Sequence, residues 1–335
     1  MKKIFWKMAV VFAAWCCSTS FACPHNCTCH LNANSTAVVC SSLPIEEFPT
    51  DIPTNTISLS IEFTNLSNIM SHHLERMPEL KELHLSGNKI RFLPSGFLKD
   101  LPLLQSLDLT GNQLRDLPQD VFCCSALENL VLKGNQLLKV NSSLFHNLNN
   151  LTWLDLSDNH LESLPLTLLK DMHNLKIIDL SNNKMEKIPN GLLQFVPQLE
   201  RLHLNNNKLS TMEAQIFNKM GNLTHLFLQE NLLKKVPYDL LQNLKSLVSL
   251  DLSDNGLTSI PQGLFDKLER LGESEGLGLD LSNNPWNCDC SIKYLWQWLQ
   301  NHKEKVFYLE MIRCATPEPL KRRKVFSLSE KEIIC

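Results

Sequence analysis

The sequence predicts an α/β repeat solenoid, a curved stack of turns with one parallel sheet along its concave side and a disulfide-bonded cap at each end. Three observations predict it. A phrase of the type "LTWLDLSDNHL" recurs along the chain at a nearly constant step. Within the phrase, leucines alternate with mostly polar residues. Cysteines cluster at both ends. A fixed period in this range decides the architecture before any single residue does.

The chain opens with "MKKIFWKMAVVFAAWCCSTSFA". Three lysines precede a short apolar run, and Ser20-Phe21-Ala22 fits a small-residue cleavage site, so residues 1–22 read as a secretory signal peptide. The apolar run is too short for a membrane helix, which needs about 20 residues. No later stretch approaches that length, so no membrane span is expected and the mature protein should be secreted. The formal charge is −3, or −6 without the leader lysines. That balance argues against a nucleic-acid binder, which needs a basic face.

Residues 23–52 hold Cys23, Cys27, Cys29 and Cys40, and residues 282–335 hold Cys288, Cys290, Cys314 and Cys335. An even set at each end of a secreted chain reads as two small disulfide domains, an N-cap and a C-cap. The Cys-x-Cys steps lack the usual zinc spacing, so no metal is expected there. N-glycosylation is expected at Asn34, Asn65, Asn141, Asn150 and Asn222. The sixth sequon, Asn26, lies between half-cystines and is expected to be too crowded.

Residues 53–281 carry the repeats. "LKELHLSGNKI" at 80–90 is followed by "LQSLDLTGNQL", "LENLVLKGNQL" and further copies. Their asparagines run from Asn88 to Asn255 in steps of 24, with one step of 23. The phrase L-x-x-L-x-L-x-x-N-x-L is a leucine-rich repeat. Its x-L-x-L-x centre has period two, so it is a short strand with leucines facing in and x residues facing out. The Asn then leaves the strand, and its amide can bond neighbouring backbone as repeats stack. Leu or Ile before Pro, then an apolar pair, marks the return segment, where Pro needs no amide donor. One repeat cannot bury its own apolar face, so stability belongs to the array. Truncation of an inward leucine such as Leu154 to Ala should cost on the order of 2–5 kcal/mol. An irregular copy stands at each end: Thr64 replaces Asn in the first, and a 29-residue step precedes Asn284 in the last. About ten repeats result.

The outward strand residues form the candidate binding face. Between the two strand leucines the column reads Ser60, His84, Asp108, Val131, Asp155, Asp179, His203, Phe227, Asp251 and Asp280. Over all outward positions, twelve acids face four bases. Such a trough attracts a basic protein partner. The competing reading is that Asp beside Ser is a habit of the repeat, bonding nearby backbone. Candidate partner-binding residues are Asp108, Trp153, Asp155, Asp158, Asp179, Arg201, His203, His225, Phe227 and Asp251. Trp153, His225 and Phe227 are the apolar or aromatic anchors such interfaces favour. Asn150 and Asn222 share one repeat position, so glycans there would line one rim.

Catalytic signatures are not apparent. No H-E-x-x-H or phosphate loop occurs, and a shallow open trough does not supply the burial that tunes a catalytic carboxylate. The protein is expected not to be an enzyme and to need no cofactor. His203 and His225 lie on adjacent strands without a firmly placed third ligand, so no metal is expected there. Cys123-Cys124 sits in the one shortened repeat. Buried thiols replacing a core leucine are the simpler reading; an exposed thiol able to cross-link to a partner is the sharper one. The basic run Lys321 to Lys324 reads as a solvated face of the C-cap.

The N-cap C-x3-C-x-C-x10-C, the C-cap "NPWNCDC…C…C" and the order of "LVLKGNQL", "LERLHLNNNKL" and "LFLQEN" resemble the leucine-rich alpha-2-glycoproteins, a family of secreted leucine-rich-repeat proteins. The resemblance covers essentially the whole mature chain. It implies a plasma glycoprotein linked to transforming growth factor β signalling and to binding of basic proteins such as cytochrome c. The full four-cysteine C-cap is similar to that of the related beta-type phospholipase A2 inhibitors of snake serum, which implies as the alternative an inhibitor of a basic secreted phospholipase. The family pattern further implies disulfides Cys23–Cys29, Cys27–Cys40, Cys288–Cys314 and Cys290–Cys335.

Overall fold

A computed structural model describes residues 23–32 and 35–333. The expected leader, Asn34 and Cys335 lie outside the described residues. The chain builds a repeat solenoid with one long sheet. β1 (Thr28–Asn32) and β2 (Ser35–Ser41) form an antiparallel hairpin. β2 then pairs in parallel with β3 (Thr56–Glu62), the strand of the first, irregular repeat. Eight three-residue strands follow in strict parallel order: β4 (Glu82–His84), β5 (Ser106–Asp108), β6 (Asn129–Val131), β7 (Trp153–Asp155), β8 (Ile177–Asp179), β9 (Arg201–His203), β10 (His225–Phe227) and β11 (Ser249–Asp251). β12 (Leu279–Asp280) ends the repeats.

The central residue of each short strand is buried, from Leu83 and Leu107 to Leu250. Register never drifts: Leu154 pairs with Leu130 on one side and Ile178 on the other. Equivalent leucines therefore stack into continuous files that one repeat could not bury alone. Most return segments are tight turns, with short 3-10 helices at Ser71–His73 and Leu192–Phe195. Their apolar pairs, such as Phe97-Leu98, Leu144-Phe145 and Ile216-Phe217, are buried and close the outer side of the core.

Beyond the strands runs a second file, the asparagines. In Asn159, Nδ2 donates to the Leu132 carbonyl of the preceding repeat at 3.0 Å and to the Leu156 carbonyl of its own at 3.2 Å. Its Oδ1 accepts from the Leu137 amide at 3.0 Å. The pattern repeats from Asn112 to Asn284. These asparagines are buried, so each supplies partners to backbone groups that water cannot reach. Thr64 stands in for Asn in the first repeat and donates through its hydroxyl to Asn88 Oδ1 at 2.5 Å. The file reaches Asn284, so ladder bonding extends three residues past the expected repeat boundary at 281.

The residue before each ladder position has positive φ in every repeat: Phe63, Gly87, Gly111, Gly134, Asp158, Asn182, Asn206, Glu230, Asp254 and Asn283. The chain turns sharply there to deliver the Asn inward. Gly, Asn and Asp tolerate that conformation best, and eight of these ten positions carry one of them. Phe63 and Glu230 are the exceptions.

The caps cover the two ends. Cys23–Cys29 and Cys27–Cys40 tie the N-terminal hairpin. At the other end β13 (Trp286–Asn287) leads into α1 (Lys293–Asn301), which buries Leu295, Trp298 and Leu299. β14 (Val306–Phe307) pairs with the exposed edge of β12, and β15 (Cys314–Thr316) pairs with β13. Covering an edge in this way removes a template for aggregation. Cys288–Cys314 is bonded. Cys290 is a half-cystine; the expected partner, Cys335, falls outside the described residues.

Cys123-Cys124 departs from the simpler expectation. Val121 and Phe122 supply the buried apolar pair of that repeat. Cys123 is half-buried, and Cys124 is exposed at positive φ. The one-residue deletion leaves no inward position for Cys124 to fill.

Candidate protein-binding face

The outward residues of the sheet lie on one face because side chains alternate along a strand. Neighbouring turns are in register, so Asp155 sits beside Asp179, and Asp179 beside His203. The face divides into two chemistries.

The first is the aspartate file. Asp155 Oδ1 accepts from the Ser157 amide at 2.8 Å and the Ser157 hydroxyl at 2.6 Å. Asp179 with Ser181 and Asp251 with Ser253 repeat that geometry. Asp108 and Asp280 accept the amides of Thr110 and Ser282. One oxygen of each carboxylate thus fastens the turn that leaves the strand, as the local reading of Asp beside Ser anticipates. None of these aspartates forms an ion pair among the described residues. Burial sinks some of them deeper than an open trough suggests. Asp155 is only 7% exposed, and Asp280 is 8% exposed. Burial raises the pKa of Asp155 and Asp251 above the ordinary aspartate value, against the serine bonds that lower it. Asp155, expected on the concave face, is folded down onto Ser157 there.

The second chemistry occupies β9 and β10. Arg201 is exposed. The His203 ring stacks on Phe227 at 4.5 Å between centroids, and His225 lies 6.2 Å from the same ring. Burial lowers both imidazole pKa values below the ordinary histidine value. The patch is therefore aromatic, with Arg201 as its positive charge. It interrupts the acidic file between Asp179 and Asp251.

Of the remaining expected residues, Trp153 is 39% exposed on β7. Asp158 lies 3.4 Å from Lys133, in an ion pair that spans two repeats, and occupies one of the positive-φ positions. Its residue type answers a backbone demand as well as any binding one. Lys176 neutralises Glu200 similarly at 3.5 Å. Among the sequons, Asn141, Asn150 and Asn222 are exposed, and Asn65 is half-buried. Asn26, expected to be crowded, is also exposed.

One grouping is new. Glu62, His84 and Asp108, on β3, β4 and β5, converge so that a donor atom from each lies within 4.8 Å of the others. The signal in the sequence was the 24-residue step linking Ser60, His84 and Asp108; Glu62 is the next outward residue after Ser60. The count of outward charges takes in Glu62 without placing it beside His84 and Asp108, because it lies two places beyond the column they share.

Leucine rich repeat models match residues 54–114, 102–161, 125–185, 149–209 and 197–257. The chain belongs to the leucine-rich repeat family, whose members are typically non-enzymatic and bind proteins. It is 46% identical over 63 residues to phospholipase A2 inhibitor beta of Elaphe climacophora, a match spanning 19% of each chain. It is 36% identical over 87 residues to leucine-rich repeat-containing protein 3 of Rattus norvegicus, spanning 26% of this chain and 34% of that one. The matches thus span about a third or less of these relatives. A solved structure, titled an octameric complex of latrophilin 3, Unc5D and FLRT2 (LRR), shares the fold. Its TM-score is 0.75 at 24% identity, over 92% of this chain and 98% of the other. No helix among the described residues is long and apolar enough to cross a membrane.

Proposed function

We propose that this protein is a secreted glycoprotein that captures a basic protein partner on its concave face. The observation that carries the reading is the aspartate file. Each carboxylate is held by its own turn, and none is neutralised by a basic side chain among the described residues. Held charges on a rigid sheet attract an oppositely charged surface at little ordering cost. The aromatic patch of His203, His225 and Phe227 beside Trp153 and Arg201 would anchor the partner, because such side chains dominate interface energetics. The disulfides at both ends suit an oxidising, extracellular setting.

The resemblance to the leucine-rich alpha-2-glycoproteins makes the partner a component of transforming growth factor β signalling, or a basic protein such as cytochrome c, met in plasma. The alternative is inhibition of a basic secreted phospholipase A2. The 46% identity to a snake inhibitor over 63 residues supports it. Both readings use the same face.

The test is capture from plasma by the mature protein and by a variant with Asp108, Asp155, Asp179 and Asp251 changed to Asn, at low and physiological salt. A basic protein held by the native chain and lost by the variant supports the reading. Identical partners on both chains would refute a role for the file. An inhibition assay on a basic phospholipase A2 separates the alternative.

A further inference from the structure

We propose that Glu62, His84 and Asp108 form a binding site for a divalent transition-metal ion of the zinc class. The inference is independent of any protein partner. One imidazole nitrogen and two carboxylate oxygens are offered by three consecutive strands, all half-buried, with donor atoms within 4.8 Å of one another. His84 and Asp108 are direct register partners, and Ser60 occupies the same rung on β3. Glu62 reaches the cluster from the end of β3, where the chain turns at Phe63.

The ligands are already oriented. Ser60 donates its hydroxyl to Glu62 Oε2 at 2.7 Å, and Ser86 donates to Glu62 Oε1. The Thr110 amide holds Asp108 Oδ1 at 2.8 Å, which leaves Oδ2 free. Glu82 stands 3.9 Å from His84 Nε2, and Ser58 fixes that carboxylate at 2.9 Å. Outer partners of this kind set ligand direction and basicity.

Charge points the same way. Glu62, Glu82 and Asp108 bring three carboxylates together. Among the described residues none of them pairs with a Lys or an Arg. A dication would neutralise most of that charge. Imidazole among the donors selects a zinc-like ion over calcium or magnesium, which take oxygen alone. Bonds of about 2.0–2.2 Å put tetrahedral donors ~3.3 Å apart. Closing the cluster therefore needs side-chain movements of about 1 Å. Three protein donors leave a fourth position for water or for a partner's side chain.

The molecule contains its own control. Asp155, Asp179 and His203 likewise put two carboxylates and one imidazole on three consecutive strands, β7, β8 and β9, yet among the described residues they do not converge. Asp155 is folded onto Ser157, and His203 is stacked on Phe227. Residue type in a column is therefore not enough, and the Glu62 contribution distinguishes the first cluster.

The experiment is calorimetric titration of the metal-free, full mature chain with Zn2+, alongside the absorption spectrum of its Co2+ form. His84→Ala, Asp108→Asn and His203→Ala are compared, and melts of the metal-free variants confirm folding. Asp108→Asn keeps the acceptor for Thr110, so it remains informative if His84→Ala folds poorly. One Zn2+ per chain is expected at this site, weakened at least ~10-fold by His84→Ala or Asp108→Asn and unchanged by His203→Ala. The Co2+ spectrum should carry an imidazole contribution that vanishes in His84→Ala. Absence of Zn2+ binding, or a titration indifferent to both ligand changes, would overturn the site. Displacement by equimolar Ca2+ would overturn its metal class.

Discussion

Two files of polar residues run the length of the solenoid, a few residues apart in every repeat. The asparagines are buried, and each bonds the backbone of the turn before it. The aspartates lie on the concave face, and each bonds only the turn it belongs to. Both look like the same kind of repetition in the sequence. One joins neighbouring repeats, whereas the other fastens a single repeat and leaves an oxygen toward the concave side. Regular spacing therefore does not distinguish a structural file from a binding file. The reach of the hydrogen bonds does.

The largest expected effect breaks the ladder. Asn159→Ala removes partners from the Leu132 carbonyl and the Leu137 amide, both buried in the stack. Buried groups left unpaired cost roughly 1–3 kcal/mol each. Denaturant unfolding should show a loss of about 3 kcal/mol. A loss below about 1 kcal/mol would mean that water or a shifted backbone replaces the ladder.

A smaller effect of opposite sign sharpens the turn between the two files. Glu230 holds φ +54° where eight of the other nine repeats use Gly, Asn or Asp. Glu230→Gly should raise stability by about 0.5–1 kcal/mol, because left-handed backbone strains a residue with a Cβ. Glu230→Ala, which keeps the Cβ, should not gain. Equal gains from both would locate the effect in charge rather than in backbone.

The smallest effect concerns the aspartate file. Asn at position 155 can still accept from Ser157, so the turn should survive. Burial raises the folded-state pKa of Asp155 above its unfolded value. Its favourable contribution is therefore fully present below the unfolded value near 3.8 and is lost as pH rises through the folded value. At pH 7 the native chain holds a largely desolvated charge that Asn lacks. Asp155→Asn should be slightly more stable there, and the gain should fade as pH drops below the normal aspartate range. Melts at pH 7 and near pH 3 measure both ends. A marked loss at pH 7 would show that the charge, and not only the acceptor, holds the turn.

Much of the candidate face was legible because it is local. Alternation within "LTWLDLSDNHL" distinguishes Leu154 from Trp153 and Asp155 without knowledge of any neighbour. The depth of Asp155 was not legible, since it depends on which oxygen Ser157 takes. The interruption at β9 and β10 could be read from the column, but the stacking of His203 on Phe227 one repeat later could not. Cys124 was misplaced for a related reason: Val121 and Phe122 had already filled the two inward positions of the shortened repeat.

The sequence by itself determined the period, the parallel sheet, the inward leucines, the capped ends and the acidic bias of one surface. All of these follow from backbone hydrogen bonding and apolar burial acting within a single 24-residue turn. Only the tertiary structure decided which carboxylates sink, which rings stack, and that Glu62, His84 and Asp108 meet. Those outcomes depend on side-chain directions across turns 24 residues apart, and residue type alone does not encode direction.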